Sequence, residues 1–157
     1  LSLPSTFSTL LVGKWHLGSV PSALPCQHGF DTYFGIPFSV DMGFAYNNRT
    51  EESWSEGGGY YGCTPLPLME NNTVVEQPVN LATVNARYTA SATNFIATAS
   101  ASKTKTPWFM YMAFGHVHTP QYAGAAQAGK SKRGIFGDSV AEVDTSIGHV
   151  MAALTAA

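Results

Sequence analysis

Residues 108–114, Trp108-Phe109-Met110-Tyr111-Met112-Ala113-Phe114, form an unbroken aromatic and apolar run. A run of this length without polar alternation predicts a central β-strand covered on both faces. Just upstream, Lys103-Thr104-Lys105-Thr106-Pro107 supplies a stop. Before that stop, Leu81, Val84, Tyr88, Ala92, Phe95 and Ile96 recur at helical spacing, so residues 80–102 are expected to be a helix despite their many Thr and Ser. Further upstream, the short apolar run Leu10–Trp15, interrupted by Gly13 and closed by Leu17-Gly18, reads as a buried strand. Between that strand and the helix, the many Pro and Gly from Pro21 to Pro67 predict loops with only short strands. Downstream of residue 114, a Gly-, Ala- and Lys-rich stretch leads to a second helix. Its N-cap is expected at Asp138 or Ser139, and Val140, Val143, Ile147, Val150, Met151 and Leu154 make a one-sided apolar stripe along it. Strand, loops, helix, strand, loop, helix is the order of an α/β fold with a parallel or mixed sheet flanked by helices.

The 157 residues are enough for one domain or part of one, and 45% of them are hydrophobic. Only 11% are charged, against roughly 25% in an average soluble domain, so further chain is expected to cover some of the surface. A net charge of -2 gives no field for nucleic acid or an anionic membrane. No apolar stretch reaches the ~20 residues of a membrane span. The start Leu1-Ser2-Leu3-Pro4 has no initiator Met and no leader pattern, and the chain is expected to be truncated at both ends. Cys26 and Cys63 are compatible with one disulfide, two thiols or outside partners. Asn48-Arg49-Thr50 and Asn71-Asn72-Thr73 are glycosylation sequons. Composition is silent on oligomeric state.

Lys14 and His16 lie two residues apart at a predicted strand end, where both would point to one side. They are either a solvated lysine and a hydrogen-bonded histidine, or a pair that binds an anion and moves a proton. His116 and His118 repeat that geometry after the 108–114 strand, at the sheet edge where ligands bind in open α/β folds. Zinc ligation by this pair lacks the further Cys, His or carboxylate that it needs, and no metal ligand is assigned in the chain. Asp138, Glu142 and Asp144 fall near a helix N-terminus, where negative charge is favourable. Ser39 and Asp41 read as turn residues, without the Gly-x-Ser-x-Gly context of a nucleophile. Gly57-Gly58-Gly59 lacks the Lys-Ser/Thr of a phosphate loop.

The hexapeptide Gly13-Lys14-Trp15-His16-Leu17-Gly18 resembles the second signature of the type I sulfatases. His28-Gly29-Phe30-Asp31, Tyr33-Phe34-Gly35-Ile36-Pro37 with Ser39 and Asp41, His118-Thr119-Pro120-Gln121, and Arg133 through Ser139 with Glu142 and Asp144 resemble the arylsulfatase continuation in the same order. The resemblance implies an alkaline-phosphatase-like α/β sandwich and a parent that hydrolyses aryl or carbohydrate sulfate esters. It makes Lys14 a contact to a sulfate oxygen and His16 a helper to the family's covalent hydrate and its sulfate adduct. Ser39 becomes a secondary sulfate contact and His118 the proton donor to the leaving oxygen; His116 receives no role. It also implies a glycan at Asn71 and a lysosomal or secreted parent. The family requires Ca²⁺ and a formylglycine made from a C/S-x-P-x-R motif. Neither Cys26 nor Cys63 has that context and no Ca²⁺ ligands are identified, so the chain alone is expected to be inactive. The rival readings are a phosphodiesterase or phosphatase of the same superfold, and a truncated binding module.

Overall fold

The computed structural model describes residues 7–45, 64–104 and 106–157. Strands β1 (Ser8–Lys14), β2 (Thr32–Ile36), β3 (Leu68–Glu70), β4 (Thr73–Glu76) and β5 (Trp108–Ala113) form one sheet in the order β4-β3-β2-β1-β5. β1 pairs in parallel with both β2 and β5, whereas β3 and β4 add antiparallel at the β2 side. The sheet is therefore mixed, as expected. Helix α1 (Leu81–Ser100) forms the crossover from β4 to β5, and α2 (Gly134–Ala156) follows β5. Among the described residues, the loop-rich stretch contains three single-turn 3₁₀ segments, at Pro21–Ala23, Pro25–Gln27 and Val40–Met42. Sequon Asn48, the triple glycine and Cys63 lie outside the described residues.

Strand alternation sorts the core into two faces. Leu10, Val12 and Ile36 meet Leu81, Val84 and Tyr88 of α1, with Phe34, Met110 and Met112 packed alongside. On the opposite face Leu11, Leu24, Tyr33 and Met69 pack with Trp15 and Phe30. Full burial of such side chains stabilises by ~1.5–3 kcal/mol each, and β1, paired on both sides by β2 and β5, contributes core residues to both faces. Asn80 starts α1, its side chain accepting from the Ala82 N–H at 3.0 Å.

Three expectations need correction. The 108–114 run is not a central strand here: β5 is the edge of the sheet among the described residues, and Phe109 and Tyr111 are about half exposed. An all-apolar run shows that both faces prefer cover, but not that this chain supplies it. The N-cap of α2 is neither Asp138 nor Ser139, because the helix begins a turn earlier at Gly134. The Asp138 carboxylate instead accepts from the Gly129 and Ser131 N–H groups, at 2.8 and 2.7 Å, and Ser139 donates to the Tyr122 carbonyl at 2.7 Å. Their oxygens hold the preceding loop rather than a helix end. Finally, α2 buries its polar side (Asp138, Ser139 and Ser146), while Val140, Ile147, Met151 and Leu154 are exposed. The α1 contact explains this choice: Ser146 Oγ accepts from Asn85 at 2.8 Å and Thr89 at 2.9 Å, both buried on α1.

The strand tips are held by a row of small residues. Gly13 lies opposite Gly35 of β2 and Ala113 of β5. It has φ +109°, and an added Cβ would fall 1.9 Å from the Ala113 carbonyl oxygen. A Cβ on Gly35 would fall 1.8 Å from the Gly13 oxygen. Only glycine suits Gly13, in conformation and in space. Gly13→Ala is expected to lower unfolding free energy by about 2–4 kcal/mol, as read from urea unfolding. An unchanged midpoint would show that the strands can separate at no cost.

Candidate active site

The carboxyl ends of β1, β2 and β5 point the same way, because the three strands are parallel. The chain leaves β1 towards β2 on one side and later returns on the other side as β5. In open α/β sheets, this reversal opens a crevice at the strand ends, where ligands bind. Lys14 ends β1, Ser39 follows β2, and His118 follows β5.

At the tip of β1, Trp15 turns into the Leu11–Tyr33 cluster and donates its indole N–H to the Ala23 carbonyl at 2.8 Å. The Trp15 and His16 N–H groups continue the ladder, donating to the carbonyls of Ile36 and Pro37. That anchors Lys14 beside the segment after β2, where its ammonium donates to Ser39 Oγ at 3.1 Å. Ser39 is 2% exposed, and its hydroxyl also hydrogen-bonds the carboxyl of Asp41. Asp41 Oδ1 lies 3.9 Å from His118 Nδ1 and has no hydrogen-bond partner; at that length the pair is a charge contact. Lys14, Ser39, Asp41 and His118 thus form one continuous polar line across the strand tips.

His118 Nδ1–H donates to the Thr119 carbonyl at 2.7 Å. The bond commits Nδ1 to a proton and leaves Nε2 as the ring nitrogen available to a ligand. His16 differs from its expected placement. β1 ends at Lys14, and His16 has φ +57°, so strand alternation no longer governs its direction. Its ring is exposed and has no hydrogen-bond partner among the described residues. His116 and His118 also fail to act as a pair: the His116 ring is wholly buried against Glu142, with Nε2 to Oε2 at 2.6 Å. Asp41, read from the sequence as a turn residue, is the member of the line that spacing missed. Its one sequence signal is its position two residues after Ser39.

Burial is the largest single influence on Asp41 and pushes its pKa up. The Ser39 hydroxyl, its own backbone N–H and the positive His118 and Lys14 together outweigh burial, leaving the carboxyl below its ordinary value. Elsewhere, burial and the charge of Asp31 push the Cys26 thiol up, away from a reactive thiolate. Among the described residues Cys26 forms no disulfide. Among the described residues, no group of three His, Cys, Asp or Glu side chains converges to hold a metal ion. The described residues by themselves therefore do not fit the Ca²⁺ that the resemblance implies, and neither cysteine lies in a formylglycine motif. No helix among the described residues is long and apolar enough to cross a membrane.

The mixed sheet with its flanking helices matches solved sulfatase structures of the alkaline-phosphatase-like fold. The PsFucS1 sulfatase from Pseudoalteromonas sp. superimposes over 95% of this chain and 32% of its own, with a TM-score of 0.74 at 21% identity. The Ps i-CgsB structure covers 95% and 34%, with a TM-score of 0.68 at 27% identity. A family model described as Sulfatase matches residues 5–157, and the chain belongs to the sulfatase family. Arylsulfatase A of Homo sapiens is 39% identical over 152 residues, 94% of this chain and 30% of that protein. Arylsulfatase G of Homo sapiens is 37% identical over 156 residues, covering 92% and 29%. N-acetylgalactosamine-6-sulfatase of Sus scrofa is 35% identical over 154 residues, covering 94% and 27%. The chain thus spans about 30% of the length of these relatives.

Because the folded pKa of Asp41 lies below its unfolded value, its contribution to stability is full above the unfolded pKa of ~3.9 and is lost as pH falls through the folded value. Carboxyl-carbon NMR should find its midpoint below that of an exposed aspartate. The stability gap between wild type and Asp41→Asn should close on acidification. A midpoint at or above ~3.9 would show that burial outweighs the Ser39, His118 and Lys14 contacts.

Proposed function

We propose that this chain supplies the sulfate-binding and acid–base part of a sulfate-ester hydrolase acting on aryl or carbohydrate sulfates. The observation that carries the reading is the Lys14 Nζ–Ser39 Oγ contact of 3.1 Å, in line with Asp41 and His118. A sulfate ester needs cationic and hydrogen-bond donors at its non-bridging oxygens and an acid at the leaving oxygen. Lys14 supplies a compact positive charge and Ser39 a hydroxyl that orients it. His118, with Nδ1 committed to Thr119, presents Nε2 to the leaving oxygen and donates its proton there. His16, exposed at the tip of β1, contributes a second imidazole to the same anion.

Ca²⁺ and formylglycine, which sulfatases generally require, are assigned to polypeptide outside these 157 residues. The enzyme is assigned to a lysosomal or secretory route, with a glycan on Asn71. That residue is exposed at the β3–β4 turn, and its Oδ1 accepts from the Tyr33 N–H at 2.9 Å, leaving its amide nitrogen for the sugar.

The 157-residue chain alone should give no turnover of an aryl sulfate, even with Ca²⁺ and the modifying enzyme supplied. Measurable, enzyme-dependent release of phenol would overturn the division of labour proposed. The longer protein that contains the chain should hydrolyse sulfate esters in preference to matched phosphate esters, and the reverse preference would assign it to the phosphatases. In that protein His118→Ala should slow poor leaving groups by roughly a hundredfold or more, and good ones much less. Equal losses would remove His118 from the role of acid.

A further inference from the structure

We propose that Glu142 and His116 are positioning residues: a buried carboxylate–imidazole clamp that fixes where the loop after β5 presents His118. The proposal rests on the reading of His118 as proton donor. Its basis is a set of contacts that neither sequence spacing nor the motif resemblance accounted for. The His116 side chain has no solvent exposure, and its Nε2–H donates to Glu142 Oε2 at 2.6 Å. The other oxygen of Glu142 accepts from the Gly124 N–H at 2.9 Å. One carboxylate on α2 therefore holds both ends of the 116–124 loop, in which His118 lies.

The remaining faces of the His116 ring are also constrained. Tyr122 stacks on it at 4.1 Å between centroids and is itself buried, with its carbonyl held by Ser139. The Tyr122 hydroxyl lies close against Gly115, 3.0 Å from where a Cβ would be, so the start of the loop is packed as well. From there the His118 N–H donates back to the Gly115 carbonyl at 3.3 Å. His118 is 45% exposed in its side chain; its ring bonds the neighbouring Thr119 carbonyl, so its placement follows the backbone of the loop. Its position is inherited from the residue two places earlier, and His116 Nδ1, buried without a hydrogen-bond partner, is left no way to turn towards solvent. A buried histidine that spends its one good hydrogen bond on a carboxylate behind an exposed histidine is a support in the sense of outer-shell residues at metal and catalytic sites.

The test uses the full-length protein that contains this chain. Glu142→Gln keeps the volume but has one acceptor oxygen, which cannot serve both His116 and Gly124. With phenyl sulfate, a poor leaving group, kcat should fall about ten- to a hundredfold with KM nearly unchanged. With para-nitrophenyl sulfate the fall should be small. Glu142→Asp, which keeps both oxygens, should recover part of the loss. In a His118→Ala background, Glu142→Gln should add no further leaving-group dependence. If it lowers kcat equally for both esters, or by the same factor with His118 present and removed, Glu142 acts on stability and the proposal falls. If His118→Ala is itself indifferent to the leaving group, the reading of His118 has failed instead.

Should Glu142→Gln not fold, histidine ring-nitrogen NMR on the wild-type protein decides the matter. A slowly exchanging His116 Nε2–H, coupled to a non-protonated Nδ1, supports the clamp. A rapidly exchanging or flipping His116 ring would overturn it.

Discussion

The site depends on how closely the backbones of three parallel strands approach at their carboxyl ends. Gly35, Gly13 and Ala113 lie in register across β2, β1 and β5. Neither glycine position has space for a methyl group before reaching a neighbouring carbonyl. Tyr33, buried beneath this row, sends its hydroxyl towards the Gly13 carbonyl at 3.5 Å, and burial raises its pKa so that it stays a neutral phenol. With the tips this close, one lysine reaches from the end of β1 to a serine beyond β2. If the strands were a side chain further apart, the ammonium would meet water instead.

Electrostatic balance follows from that closeness. Lys14 sits against a hydroxyl rather than a carboxylate, so its charge is oriented without being neutralised by direct pairing. The carboxylate of the group, Asp41, is one hydrogen bond further on and faces His118. The order along the line is ammonium, hydroxyl, carboxylate, imidazole. An anion that approaches at the Lys14 end meets the ammonium with the Asp41 carboxylate further along the line, which limits repulsion from that negative group.

Helix α2 is a support for this edge more than a contributor to an apolar core. Its buried face is built from Asp138, Ser139, Glu142 and Ser146, each satisfied by the loop after β5 or by α1. Buried polar groups are costly unless they are paired, and paired they specify one arrangement. The helix thereby tells the 115–131 segment where to lie. The apolar residues along its other side, with Phe109 and Tyr111 on β5, remain exposed in these 157 residues, consistent with a chain that spans about 30% of its relatives.

Periodicity and motif alone carried a strand at Leu10–Trp15, found at Ser8–Lys14, a helix over residues 80–102, found at Leu81–Ser100, the run from Trp108 and the succession that makes a mixed α/β sheet. These are local properties: side-chain spacing and Gly or Pro punctuation act over a few residues. Family membership was legible too, through the resemblance carried by Gly13 through Gly18, and a sulfatase family model matches residues 5–157. Tertiary structure decided the rest. Which side of α2 faces inward, whether the 108–114 run is centre or edge, the separation of His116 from His118, and the entry of Asp41 all depend on partners 18–60 residues away or more. Spacing reports what a residue can face, whereas hydrogen bonding and packing between distant segments determine what it does face.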